Sequence, residues 1–308
     1  MSYAAIAREE AVLVERTGLL GEGSSWAGRR VVARFFIDGF GDAEQRDLWL
    51  PRLTEGGGIA SVAISEPRVG AHPKLLTTRA EAGADGYSIS GEKAWVTNGP
   101  IAELFIVLAV TTIEADRKRY GAFLVPRDAP GLSIKEMPEY QALAPSRHCG
   151  LLLDHCHVPR SALLGQAGSA YETMALPFRD VEDAVGTFGL LGGFRFIQSR
   201  LARRGDNGDA ATLSLGGLAA LTAVFAATAE AVVAALDADR LVELSAALVG
   251  LRVLAADMLQ RARTHRDRFG PSNDAAIDTV FSDMAASLSV ARGPRQARQA
   301  RLGARLVS

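Results

Sequence analysis

Apolar residues recur at helical spacing through the first part of the chain. Trp26, Val31, Val32, Phe35 and Phe36 share one face, Asp42 stands where it can cap the segment AEQRDLWLPRLTEG, and Gly56, Gly57 and Gly58 end that segment. From Ile59 to about Pro159 the period becomes strand-like, with β-branched clusters (LLTTRAE, YSISGEKAWVT, LFIVLAVTT, YGAFLVP) and an Asp85-Gly86 pair that marks a tight hairpin. After Gly165 the spacing is helical again, over roughly 168 to 203, 210 to 236, 239 to 265 and 272 to 303, with breaks at RRGDNGD and FGPSN. The pattern predicts an α+β chain of helices (1–57), an antiparallel β-domain (58–165) and a four-helix bundle (166–308).

The run from Ala210 to Ala229 carries no charge and is long enough to raise the question of a membrane span. Ala, Gly and Thr dominate it and Asp209 and Glu230 flank it, which favours a close-packed bundle helix. With no charged side to offer water, that helix needs covering by neighbours, which points to a homodimer or homotetramer.

Composition narrows the function. The 308 residues are 48% hydrophobic, enough for a large core, and 34 basic against 35 acidic residues leave a net charge of −1. No global field draws the chain to nucleic acid or to an anionic membrane. Glu9, Glu10 and Glu15 interrupt the stretch where a signal peptide needs an apolar run, so a cytoplasmic location is expected. Cys149 and Cys156 are too sparse for a disulfide framework, in keeping with a reducing compartment. His148, Cys149 and the HCHV run resemble a metal cluster, but strand alternation puts His155 and His157 on one face and Cys156 on the other, so no metal is expected. Arg292, Arg295, Arg298, Arg301 and Arg305 form a basic stripe that reads first as a solvated helix face. There is neither a phosphate loop nor a nucleophile elbow.

Four blocks carry a resemblance. IASVAISEPRVG (59–70), GYSISGEKAWVTNGP (86–100), GAFLVPRDAPGLSI (121–134) and LLLDHCHVPRSALLG (151–165) follow one another as the corresponding blocks do in the acyl-CoA dehydrogenases. The chain resembles that family over about residues 8 to 204, and the family's first and last helices would lie outside it. The resemblance implies FAD as cofactor, an acyl-CoA substrate and an electron-transferring flavoprotein as electron partner. It also implies that Ile64 and Ser65 contact the flavin pyrimidine side, that Trp95 with Val96 walls the ring, that Thr97 bonds near N5, and that Arg204 reaches a cofactor phosphate. Gly70 and Ala71 fall in the loop that lies beside the thioester, where only Gly70 of the usual Gly-Ala-Gly-Ser-Asp sequence is retained.

α,β-Desaturation of an acyl-CoA needs a carboxylate to take the α-proton. The family's usual C-terminal Glu has no counterpart in SVARGPRQARQARLGARLVS, but PFRDVEDAVGTFGLLGG resembles the helix that carries the base in the isovaleryl-CoA dehydrogenase branch. That alignment, by Asp180, Gly189 and Gly192, makes Asp180 a substrate-side residue and Glu182 the base, with Asp183 where an Arg usually follows. Helical spacing agrees: Gly186 and Gly189 stand four and seven positions on, so a cavity is expected beside Glu182, and Asp180 and Asp183 would raise its carboxyl pKa. The competing expectations are a catalytically degenerate homologue serving as a binding subunit and an acyl-CoA oxidase-like flavoenzyme.

Overall fold

The computed structural model describes residues 1–137, 140–206, 208–271 and 273–307. Three helices open the chain: α1 (Tyr3–Thr17), α2 (Leu20–Val32), which runs on into a π-turn over Ala33–Asp38, and α3 (Ala43–Thr54). Ser2 caps α1 and Gly18, left-handed at φ 73°, ends it. Asp42 caps α3 as expected, in a reciprocal pair with Gln45 that satisfies two end amides at once. The Gln45 side chain also donates to the carbonyls of Ser161 and Leu163.

Among the described residues eight strands follow: β1 (Ala60–Ala63), β2 (Arg79–Ala82), β3 (Gly86–Thr97), β4 (Leu104–Glu114), β5 (Arg117–Pro126), β6 (Leu132–Glu136), β7 (His148–Pro159) and β8 (Leu163–Gly168). They form one sheet in the order β6-β7-β3-β2-β4-β5-β8, with β1 beside β4. The sheet is mixed, not antiparallel, because β1 and β2 both run parallel to β4. A period of two shows which residues face inward but not the direction of a strand. The whole β2–β3 excursion separates β1 from β4, so the return path and not a hairpin sets their direction. Residues Leu104 to Val110 of β4 are all buried, which accounts for their unbroken apolar run. Ile89, Phe105, Val107, Phe123, Val125 and Leu151 fill the core.

A short π-turn (Tyr171–Ala175) leads into α4 (Leu176–Arg204), followed by α5 (Asp209–Asp237), α6 (Ser245–Phe269), α7 (Ala275–Ser289) and α8 (Arg292–Val307). The single helix expected over 272–303 is therefore two. Val290 is extended and Ala291 is left-handed at φ 51°, which breaks the ladder, and Pro294 sits in the first turn of α8 where its missing N–H leaves no bond unmade.

The chain divides into two compact units: Met1–Ala27 with Ala142–Pro145 and Val181–Ser308, and Gly28–Gln141 with Ser146–Asp180. In the helical unit, Asp237 at the end of α5 accepts the first amides of α1, from Tyr3 and Ala4. Phe194 of α4 meets Phe225 of α5 edge-on at 5.8 Å. Among the described residues α5 is the one helix long and apolar enough to cross a membrane. It buries Leu218, Phe225, Val232 and Val233, the inner face that a bundle helix requires. α1 crosses α4 at two glycines: a Cβ on Gly192 would lie 2.4 Å from the Ala11 carbonyl oxygen, and one on Gly189 would lie 2.7 Å from Glu10 Oε1.

An ion pair organises one end of the sheet. Lys93, fully buried on β3, donates to Glu66 Oε1 at 3.0 Å and to the Ile64 carbonyl at 3.1 Å. Glu66 also accepts from the Thr77 N–H (2.7 Å), the Thr77 hydroxyl (2.8 Å) and the Thr78 N–H (2.9 Å). Burial alone would raise the Glu66 carboxyl, but the Lys93 charge and the threonine hydrogen bonds outweigh it and hold the pKa at about 2. Burial pushes Lys93 down to about 8, against the opposing pull of Glu66.

Lys93→Met strands a buried carboxylate, so urea unfolding at neutral pH should show a loss of about 3–5 kcal/mol, and Glu66→Gln added to it should recover part. The contribution of Glu66 is complete above its ordinary value of 4.5 and is lost as pH falls toward about 2. Stability should therefore decline on that acid side in the wild type, and the decline should be shallower in the double variant.

Candidate functional site

The loop after β1 and the end of β3 meet through backbone. The Ala94 N–H donates to the Ser65 carbonyl at 2.9 Å while Lys93 holds the Ile64 carbonyl, so both residues predicted to face a ligand edge are fixed against β3. The Ser61 hydroxyl donates to the Thr97 carbonyl at 2.8 Å and ties β1 to the same strand end.

Between Lys93, opposite Leu151, and Val96, opposite Cys149, the β3–β7 ladder slips by one residue. Ala94 and Trp95 together face Gly150 in a β-bulge. Trp95 sits in the left-handed region at φ 61°, a conformation that costs a bulky residue about 1–3 kcal/mol, and its indole is 50% exposed. Thr97 is exposed beside it, whereas Val96 is wholly buried and offers a ligand only its backbone. The Trp95 ring meets Tyr140 edge-on at 5.4 Å, and Tyr140 meets His148 at 4.9 Å. Burial lowers the His148 pKa, and its Nδ1 has no hydrogen-bond partner among the described residues.

Beyond Ser65 the loop closes on itself. Glu66 and Gly70 exchange N–H···O bonds at 3.0 Å, with Arg68 (φ 67°) and Gly70 (φ 59°) left-handed between and at the closure. The Ala71 carbonyl accepts from the Tyr171 hydroxyl at 3.1 Å. Gly70 and Ala71 are both half-exposed. The predicted set Ile64, Ser65, Trp95, Val96, Thr97, Gly70 and Ala71 thus lies within one unit.

On α4, Asp180 is half-buried and Glu182 is exposed. Along the Glu182 face a Cβ on Gly186 would meet nothing within 4 Å, whereas the Gly189 position is filled by the Glu10 carboxyl. Asp183 does not add charge beside Glu182 as expected. It is buried, accepts from Arg295 at 2.5 Å and lies 3.8 Å from Arg252, so two guanidiniums compensate it. Burial lowers the Arg252 pKa to about 10. Arg204 ends α4, and its side chain lies outside the described residues.

The role of Lys93 was open to reading in the sequence: Ile89 and Lys93 share the inward parity of β3, and an inward lysine needs a buried carboxylate. Glu10, Tyr140 and His148 gave no such signal. Among the described residues no group of His, Cys, Asp or Glu could hold a metal. Cys149 and Cys156 are buried thiols raised to about 11 by burial, unsuited to nucleophilic work.

The family model for the acyl-CoA dehydrogenase middle domain matches residues 61–156. A mitochondrial 2-methylacyl-CoA dehydrogenase of Solanum tuberosum is 35% identical over 128 residues, 42% of this chain and 31% of that protein. A mitochondrial isovaleryl-CoA dehydrogenase of Oryza sativa subsp. japonica is 31% identical over 185 residues, 53% of this chain and 45% of that protein. The matches thus span less than half the length of these curated relatives. An acyl-CoA dehydrogenase from Geobacillus kaustophilus superposes with a TM-score of 0.84 at 21% identity, covering 98% of this chain and 83% of that one. Butyryl-CoA dehydrogenase from Megasphaera elsdenii gives 0.82 at 17% identity, covering 94% and 78%. Residues 61–156 thus match the acyl-CoA dehydrogenase middle domain in sequence, and the chain shares the fold of acyl-CoA dehydrogenases over nearly all of its length.

Proposed function

We propose that the protein is an FAD-dependent oxidoreductase that desaturates an acyl-CoA thioester between its α and β carbons. The observation that carries this reading is the presentation of Trp95: a strained bulge holds a large indole half in solvent, beside the outward Thr97 and the pinned Ile64-Ser65 backbone. A flat apolar wall flanked by a hydroxyl and a fixed polar loop fits an isoalloxazine ring. Trp95 would wall that ring, Thr97 and the Ile64-Ser65 backbone would bond its polar edge, and Arg204 would meet a phosphate. FAD, when bound, supplies the two-electron acceptor. Glu182 takes the α-proton of the thioester, and Gly186 leaves room over the helix for the acyl chain. An electron-transferring flavoprotein is the proposed electron partner, and the cytoplasm the proposed compartment.

A second reading, a non-catalytic homologue, is favoured by one observation: Asp183, next to Glu182, is committed to Arg295 and Arg252 rather than to the site. Activity of the purified, FAD-loaded protein separates the two.

The chain also assembles with copies of itself in this proposal. The outward face of α5, with Leu213 (80% exposed), Gly217, Ala220, Val224 (57% exposed), Ala227 and Ala231, carries no charge along the helix, and its small residues allow close approach.

Three outcomes test these statements. Titration with FAD should change flavin fluorescence, and Trp95→Ala should weaken binding about tenfold, or ~1.4 kcal/mol; a colourless protein that leaves the fluorescence unchanged refutes the cofactor. Glu182→Gln should lower turnover of acyl-CoA by roughly two to four orders of magnitude while FAD binding persists. Sedimentation should give a mass of two or four chains, reduced to one by Val224→Arg.

A further inference from the structure

Glu10 is 2% exposed, and its Oε2 is buried without a hydrogen-bond partner among the described residues. The space for this carboxyl is made by two glycines on different helices. A Cβ on Gly23 of α2 would lie 3.3 Å from Glu10 Cγ, and one on Gly189 of α4 would lie 2.7 Å from Oε1. Burial alone raises its pKa to about 8, and no charged group contributes to the shift, so at neutral pH it is a carboxylic acid able both to donate and to accept. A buried polar atom without a partner costs about 1–3 kcal/mol, which a ligand atom can relieve.

Gly189 shares a face of α4 with Gly186 and Glu182. A Cβ on Gly186 would meet nothing within 4 Å, and about one turn on, the Gly189 position is filled by the Glu10 carboxyl. From Glu182 to Gly189 the helix rises about 10 Å. We propose that the acyl chain lies along this face of α4 from Glu182 and that Glu10 is a specificity residue at its far end, which recognises chains bearing a neutral hydrogen-bonding group, a hydroxyl above all, near their terminus. The inference rests on the acyl thioester reading given above. A hydroxyl there pairs the orphan oxygen, whereas a plain methyl end leaves it desolvated.

The test is calorimetric binding to the FAD-loaded protein of ω-hydroxyoctanoyl-CoA and of octanoyl-CoA, whose chains are on the order of 10 Å long with bonds of about 1.5 Å. The wild type should bind the hydroxylated ligand at least tenfold more tightly, Glu10→Gln should keep most of that preference, and Glu10→Met should abolish or reverse it. Equal affinities in the wild type, as a water-filled pocket would give, overturn the inference and leave the acyl-CoA reading standing. So does a preference that Glu10→Met leaves unchanged. Failure of the wild type to bind either ligand overturns both. Should Glu10→Met not fold, the wild-type comparison decides by itself.

Discussion

The site end of the sheet depends on the buried pair Lys93–Glu66. An ammonium with no solvent contact is tolerable only where a carboxylate and further acceptors surround it, since the effective penalty of burying an ion is several kcal/mol. That requirement draws three stretches of chain to one point: the loop at Ile64 to Glu66, Thr77 and Thr78 just before β2, and β3 at Lys93. The Glu66–Gly70 loop closure and the Ala94–Ser65 bond are built on the positions so fixed. The pair is therefore less a source of net stability than a specification of geometry, because few alternative arrangements satisfy both charges.

The helical unit solves a related problem differently. Where a compensating charge is available it is used, as with Asp183 between Arg295 and Arg252, or Asp274, which caps α7 and accepts from Nε and Nη2 of Arg200 at 2.9 and 3.0 Å. Where none is available the group remains neutral, as Glu10 does. α4 carries one example of each strategy on different faces: Asp183 toward the arginines, and Gly189 toward the acid.

Local rules made much of this readable from the sequence. The Asp42 cap, the Asp85-Gly86 hairpin and the unbroken apolar run of β4 each follow from residues within a few positions of one another. The parallel pairing of β1 and β2 with β4 was not readable, because strand direction is a property of the return path. The break at Ala291 left one mark, Pro294 three residues on, which suits a first helical turn and argues against a single helix over 272–303. In the site, Trp95 and Thr97 stood out as part of a resembling block, but their presentation depends on a bulge against β7, some fifty residues on. The filling of the Gly189 position by Glu10 was invisible for the same reason: a glycine announces space without naming what occupies it.

The bulge at Ala94-Trp95 also acts as a phase shifter. In an unbroken strand, a residue two positions beyond Lys93 would share its inward face, so Trp95 and Thr97 would turn into the core and Val96 out of it. The one inserted residue moves the alternation by half a period, and Val96 goes inward while Trp95 and Thr97 go outward. One strand thereby supplies both the buried cation that anchors the loop and the surface groups that face a ligand. A shortening of β3 by one residue at this point would exchange the two faces, a loss that no side-chain substitution could repair.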